Sequence, residues 1–175
     1  MKNLLFIPGS LRSASSSLAT VRALTGLLAE EIECVVADPG ALPHYNADVA
    51  NDPDVEAFCG QIASADGLVF VTPEYNYSVP GVLKNAIDWA SRPALQSPFK
   101  GKPCFVISVS GGALGGVRAQ SHLKYVLNGM LADVYPCPEI VIPNANQKIA
   151  DGNLSDDAFF SFAMPKLRAF IEALP

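Results

Sequence analysis

The sequence predicts a doubly wound α/β domain, a three-layer sandwich whose five-stranded parallel sheet has order 2-1-3-4-5 with helices on both faces. Three observations predict it. Short, continuous apolar runs recur along the chain, and strands buried on both faces need such runs rather than alternating ones. Each run ends on turn residues, as at Pro8-Gly9, Asp38-Pro39-Gly40 and Pro73. A segment with helical spacing follows each, and strands alternating with helices through right-handed crossovers give this strand order most simply.

The elements follow in order. Leu4 to Ile7 forms the first strand, and Leu18, Val21, Thr25 and Leu28 space out a helix after a serine-rich loop. Ile32 to Ala37 is the second strand, Asp54 to Ala65 a helix, and Gly67 to Thr72 the third strand. Pro80 to Ser91 is helical, with Pro80 at the tolerated first turn. Cys104 to Val109 is the fourth strand, and a helix runs from Val117 to Leu131 after a glycine-rich loop. The fifth strand, Val134 to Val141, contains Pro136 and Pro138, which suit a sheet edge or a bulge. The last helix carries Phe159, Phe162, Leu167, Phe170, Ile171 and Leu174 on its core stripe, with Pro165 kinking it or marking its start.

The 175 residues, 1–175, make a single domain, long enough to bury roughly 70% of its unfolded surface without a disulfide or a metal. Half of the residues are apolar and 17% are charged, which argues against disorder. The net charge of −5 gives no support to nucleic-acid binding, so an anionic ligand has to be held by local donors. Cys34, Cys59, Cys104 and Cys137 are scattered, without a C-x-x-C pair or a neighbouring histidine, and read as buried reduced thiols. The apolar run at the N-terminus is too short for a signal peptide or a membrane span, so the expectation is a soluble cytoplasmic protein with no membrane partner.

Ligands of such sheets sit beyond the carboxyl ends of the strands, at the switch point between strands 1 and 3. The loops there are unusual. Gly9 to Ser17 offers five serines, Arg12 and the free N–H groups of a helix start, which together suit a terminal phosphate. Neither G-x-x-x-x-G-K-[ST] nor G-x-G-x-x-G is present, so a monophosphate fits better than a triphosphate or a dinucleotide. The second loop, Thr72 to Gly81, sets Tyr75 and Tyr77 at the mouth of a strand, where aromatics and backbone donors can hold a flat heteroaromatic ring. Glu74 has no second carboxylate or histidine beside it in this loop and is not expected to transfer protons. The third loop, Ser108 to Gly116, has four glycines within six residues, which permits close backbone approach to a ligand.

Other catalytic sets are lacking. Ser110 is not a nucleophile elbow, because Ser108 stands where G-x-S-x-G needs glycine. The two histidines, His44 and His122, lie in no metal or triad motif, although the turn carrying His44 can reach the site rim. No residue is expected as a metal ligand or a catalytic group, which points to a cofactor as the source of the chemistry.

Three blocks carry a family resemblance: Gly9-Ser10-Leu11-Arg12 with Ser15, the stretch from Pro73 to Trp89, and Gly115-Gly116-Val117-Arg118-Ala119-Gln120. With them the chain resembles the NAD(P)H-dependent FMN reductases, flavodoxin-like quinone, azo-dye and chromate reductases. The resemblance implies that Ser10, Arg12, Ser15 and Ser17 grip the FMN phosphate. It also implies that Pro73, Glu74, Tyr75, Asn76 and Tyr77 hold the isoalloxazine through their backbone, and that Ser110, Gly111 and Gly112 cover its other edge. The family usually carries asparagine where Ser17 stands, which shortens one phosphate contact. The implied activity passes electrons from NADPH or NADH by a ping-pong route to quinones, flavin, azo dyes or chromate. Homodimers or tetramers are implied as well, with Lys84–Trp89 near the contact. The alternatives from other classes are a flavodoxin-type electron carrier and a non-catalytic regulatory protein on the same fold.

Overall fold

Strands β1 (Asn3–Pro8), β2 (Glu33–Val36), β3 (Gly67–Pro73) and β4 (Pro103–Val109) alternate with helices α1 (Ser16–Leu28), α2 (Pro53–Ser64), α3 (Gly81–Ala90) and α4 (Val117–Gly129). This computed structural model describes residues 2–175. Beyond α4 follow β5 (Asp133–Val134), β6 (Ile140–Ile142), a 3-10 turn (Ala145–Gln147), a hairpin of β7 (Ile149–Ala150) and β8 (Asn153–Leu154), and α5 (Asp157–Ala173). The main sheet is parallel and runs β2-β1-β3-β4-β5, the order expected, with β6 also paired to β4.

The sheet separates two cores because successive side chains point to opposite faces. Leu4, Phe6, Val69, Val71, Phe105 and Ile107 pack with α1 and α5. Leu5, Ile7, Leu68, Phe70 and Val106 pack with α2, α3 and α4. Strands β1, β3 and β4 therefore need apolar residues at nearly every position, which is why they read as unbroken runs.

The interruption of the fifth strand at its prolines is as expected, and two expectations about the last helix are corrected. Pro136 and Pro138 lack the N–H that a ladder needs, so β5 pairs with Pro103 and Cys104 at one end of β4, and β6 with Ile107 to Val109 at the other. In the last helix, Pro165 is not the start: α5 begins at Asp157, whose neighbour Asp156 caps it by accepting from the Phe159 N–H at 3.1 Å. Pro165 and Ser161 both face solvent, so water can reach the carbonyl that the proline leaves unbonded. Phe162 is not in the core either. It is 45% exposed with Lys166 Nζ 3.6 Å from its ring centroid, while Ala163 and Met164 take the buried positions.

The thiols also differ from expectation, since only Cys104 is fully buried. Loss of hydration pushes all four thiols above the usual range, so none is a reactive thiolate at neutral pH. No helix among the described residues is long and apolar enough to cross a membrane.

Phe105 sits at the centre of the first core, its ring centroid 5.5 Å from Phe170 and 6.2 Å from Tyr135. Phe105→Ala is expected to cost about 3–5 kcal/mol of stability, measured as a lower urea midpoint with an unchanged slope.

Candidate functional site

Strands β1, β3 and β4 end side by side, with Pro8 opposite Val71 and Pro73 opposite Val109. Gly9 prolongs the contact through its N–H, which donates to the Val71 carbonyl at 2.9 Å. A Cβ on Gly9 would lie 2.9 Å from Thr72 Oγ1 and 3.1 Å from Thr72 Cα, so only glycine lets the first loop leave β1 this close to β3.

The loops beyond these ends enclose a cavity of about 160 Å³. Ser10, Arg12, Ser15, Ser16 and Ser17 line one side of it, and Pro73, Glu74 and Tyr75 another. Val109, Ser110, Gly111 and Asn146 complete the wall. Nine of the twelve expected cofactor-binding residues thus border one cavity. Asn76, Tyr77 and Gly112 do not border it, and His44 is exposed and outside it.

Ser15 is the N-cap of α1, its Oγ accepting from the N–H of Ser17 at 3.1 Å and of Leu18 at 3.4 Å. Ser10 is buried, and its Oγ lies 3.2 Å from Tyr75 OH, tying the first loop to the second. Ser17 is 1% exposed, yet its Oγ has no hydrogen-bond partner. Arg12 is exposed and forms no ion pair among the described residues. A positive group and a buried hydroxyl, both without internal acceptors and beside a helix N-terminus, fit an anion of phosphate size.

The Glu74 side chain, for which no role was expected from the sequence, has a structural one. Helix α4 starts at Gly116, which has no side chain to cap it. The Glu74 carboxylate caps it instead, with Oε2 accepting from the N–H of Arg118 at 3.1 Å and of Ala119 at 3.4 Å, and Oε1 from Arg118 Nη1 at 3.2 Å. Only its backbone is left to face a ligand.

Tyr75 and Ser78 exchange both backbone hydrogen bonds, at 3.0 and 3.1 Å, around Asn76 (φ 48°) and Tyr77 (φ 67°). Positive φ at both central residues gives a type I′ turn. Helix α4 holds this turn at two points: Arg118 Cζ stacks 4.6 Å above the Tyr77 ring centroid, and His122 Nδ1 lies 3.0 Å from Ser78 Oγ. Tyr77 is 68% exposed and Tyr75 45%, which leaves an open aromatic platform next to the cavity.

The glycine loop is tied to the chain beyond β6. The Ser110 N–H donates to the Ile142 carbonyl at 3.0 Å, the Ala145 N–H to the Ser110 carbonyl at 2.9 Å, and the Asn144 N–H to the Gly112 carbonyl at 3.1 Å. These bonds bring Asn146 to the cavity. It was not foreseen, because it lies in the last stretch of sequence, which carries no ligand motif, and only the tertiary pairing places it there. Ser16 and Val109 lie within the loops read from the sequence but were not singled out as cofactor-binding residues.

The profile of the family described as NADPH-dependent FMN reductase matches residues 2–147. An NAD(P)H-dependent FMN reductase of Pseudomonas aeruginosa is 45% identical over 93% of this chain and 90% of its own length. A 2-hydroxy-1,4-benzoquinone reductase of a Burkholderia species is 43% identical over 94% of this chain and 93% of its own. Among solved structures, the Paracoccus denitrificans flavoenzyme FerB, an NAD(P)H:(acceptor) oxidoreductase, superposes with a TM-score of 0.88 at 35% identity, covering 98% of this chain and 96% of that one.

Ser17→Ala removes a buried hydroxyl with no partner. The ligand-free variant is therefore expected to be as stable as the parent or more so, by up to about 2 kcal/mol in a urea titration. A clear loss of stability would show that the hydroxyl is satisfied after all.

Proposed function

The chain belongs to the NADPH-dependent FMN reductase family, and on that premise we propose that it carries electrons from NAD(P)H to quinones by a ping-pong route. The observation that carries the reading is the joining of a phosphate-sized cavity, lined by unpaired donors, to an exposed aromatic platform. When bound, FMN supplies the redox chemistry, accepting two electrons from the nicotinamide and delivering them to the acceptor. The residues do the rest. Arg12, Ser10, Ser15 and Ser17 would hold the phosphate, with the start of α1 adding a positive dipole end. The backbone of Pro73 to Tyr77 would support the ring on one side, and Ser110 to Gly112 would close its other edge.

Acceptor range follows from the platform. Tyr75 and Tyr77 are exposed and no acid–base pair faces them, so acceptors would be selected by flat shape and redox potential rather than by proton transfer. Quinones are the first acceptors in this reading, with free flavin, azo dyes and chromate admitted by the same open face. Self-association as a homodimer or tetramer belongs to the reading. Its support is the exposed Tyr77 and, at 81% exposure, Tyr125 of α4. Trp89 does not add to it, being 7% exposed, packed edge-on against Tyr45 and donating to the Pro43 carbonyl at 2.7 Å. The four free cysteines suit the reducing cytoplasm, where NAD(P)H is also available.

The purified protein loaded with FMN is expected to lose its yellow absorbance on anaerobic mixing with NADPH or NADH, and to regain it on adding 1,4-benzoquinone. A protein that stays yellow with both coenzymes would be a carrier, and one that takes up no FMN would be a non-catalytic relative; either result overturns the reading. Arg12→Ala is expected to weaken FMN binding by about 10- to 100-fold, the loss of charge-assisted bonds, while turnover of the saturated enzyme changes little. Equal FMN affinity in this variant would overturn the phosphate assignment.

A further inference from the structure

Asn146 is the one residue lining the cavity that comes from outside the three loops beyond β1, β3 and β4. Its position is built, not incidental. Asn144 adopts a left-handed conformation (φ 52°) that turns the chain after β6 into the 3-10 turn Ala145–Gln147. Ala145, between the two asparagines, is fully buried and pins that turn through its N–H to the Ser110 carbonyl. The Asn146 carboxamide then packs over Gly111, where a Cβ would meet Asn146 Nδ2 at 2.8 Å. A side chain at 111 would displace this carboxamide. The carboxamide is exposed and no hydrogen bond within the described residues engages it, although backbone bonds tie Ser110 and Gly112 to the segment that carries it.

The cavity divides its chemistry. Donors with positive character, Arg12 and the start of α1, stand on one wall and suit the phosphate. The Asn146 wall is neutral and offers one acceptor and two donors from a single group. That combination matches vicinal hydroxyls, which both donate and accept, better than it matches an anion.

We propose that Asn146 is a further cofactor-binding residue, which reads the polyol chain between the phosphate and the ring of FMN. The inference rests on the FMN reading given above. Its action is on affinity for the flavin rather than on electron transfer, because the group is neither charged nor acidic. Asn146→Asp keeps the shape but exchanges the two donors for negative charge beside the phosphate wall.

The test is FMN binding by quenching of flavin fluorescence on the apoprotein, with riboflavin and the tail-less lumiflavin as companion probes. Asn146→Ala is expected to weaken FMN and riboflavin by a similar factor, about 3- to 10-fold for one or two hydrogen bonds, and to leave lumiflavin unchanged. Asn146→Asp is expected to weaken FMN further, by a factor that shrinks at high salt as the repulsion is screened. Unchanged FMN affinity in both variants overturns the proposal while leaving the FMN reading intact. Equal loss for lumiflavin also overturns it, since the residue would then act on the ring or on the loop as a whole. Failure of the parent protein to bind FMN would instead sink the reading on which the proposal rests.

Discussion

Everything at the site depends on the parallel pairing of β1 with β3 and of β3 with β4. That ladder fixes where three loops leave the sheet, and it extends one residue further through the Gly9 N–H to Val71 bond. Interior strands leave little tolerance for slippage, since a one-residue shift would exchange the side chains of the two cores. The 2.9 Å clearance at Gly9 shows how close the approach is. With the ends so placed, parts of the phosphate loop, the aromatic turn and the glycine loop meet around one cavity.

The second constraint is electrostatic. A chain of net charge −5 that takes an anionic cofactor cannot rely on its overall field. The site answers locally, by leaving Arg12 without a carboxylate and Ser17 Oγ without an acceptor. A buried unpaired hydroxyl costs about 1–3 kcal/mol, a penalty that a ligand bonded to it would relieve. Glu74, the only carboxylate lining the cavity among the described residues, is turned away to cap α4 and pair with Arg118. One interaction thereby secures the helix start, removes a negative charge from the ligand wall and holds the base of the aromatic turn.

That turn is a strained element kept in place from two sides. Asn76 and Tyr77 both have positive φ, which is unfavourable for a large aromatic residue. Tyr75 reaches back to Ser10, while Arg118 and His122 hold Tyr77 and Ser78 from α4. Helix α4 thus does more than cover the sheet. It shapes the platform on which a flat ring and a flat acceptor would lie.

Much of this was legible in the sequence. Unbroken apolar runs identify β1, β3 and β4 because burial on both faces leaves no alternative composition, and the topology follows from chirality rules that operate on any such alternation. The serine-rich loop, the tyrosines and the glycines stand out for the same local reason: each departs from what an ordinary connection needs. Pro165 was less legible, because solvation at the helix surface decides how a proline inside a helix is tolerated. The cap that Glu74 provides spans 44 residues, and Asn146 reaches Gly111 across 35. Neither neighbour relation leaves a periodic or compositional trace. The sequence by itself determined the layers, the strand order and the loops that matter, since these depend on local propensity and on which residues must be buried. Only the tertiary structure decided which groups are left unpaired at the cavity, because whether a hydroxyl or a carboxylate is satisfied depends on what the distant chain brings against it.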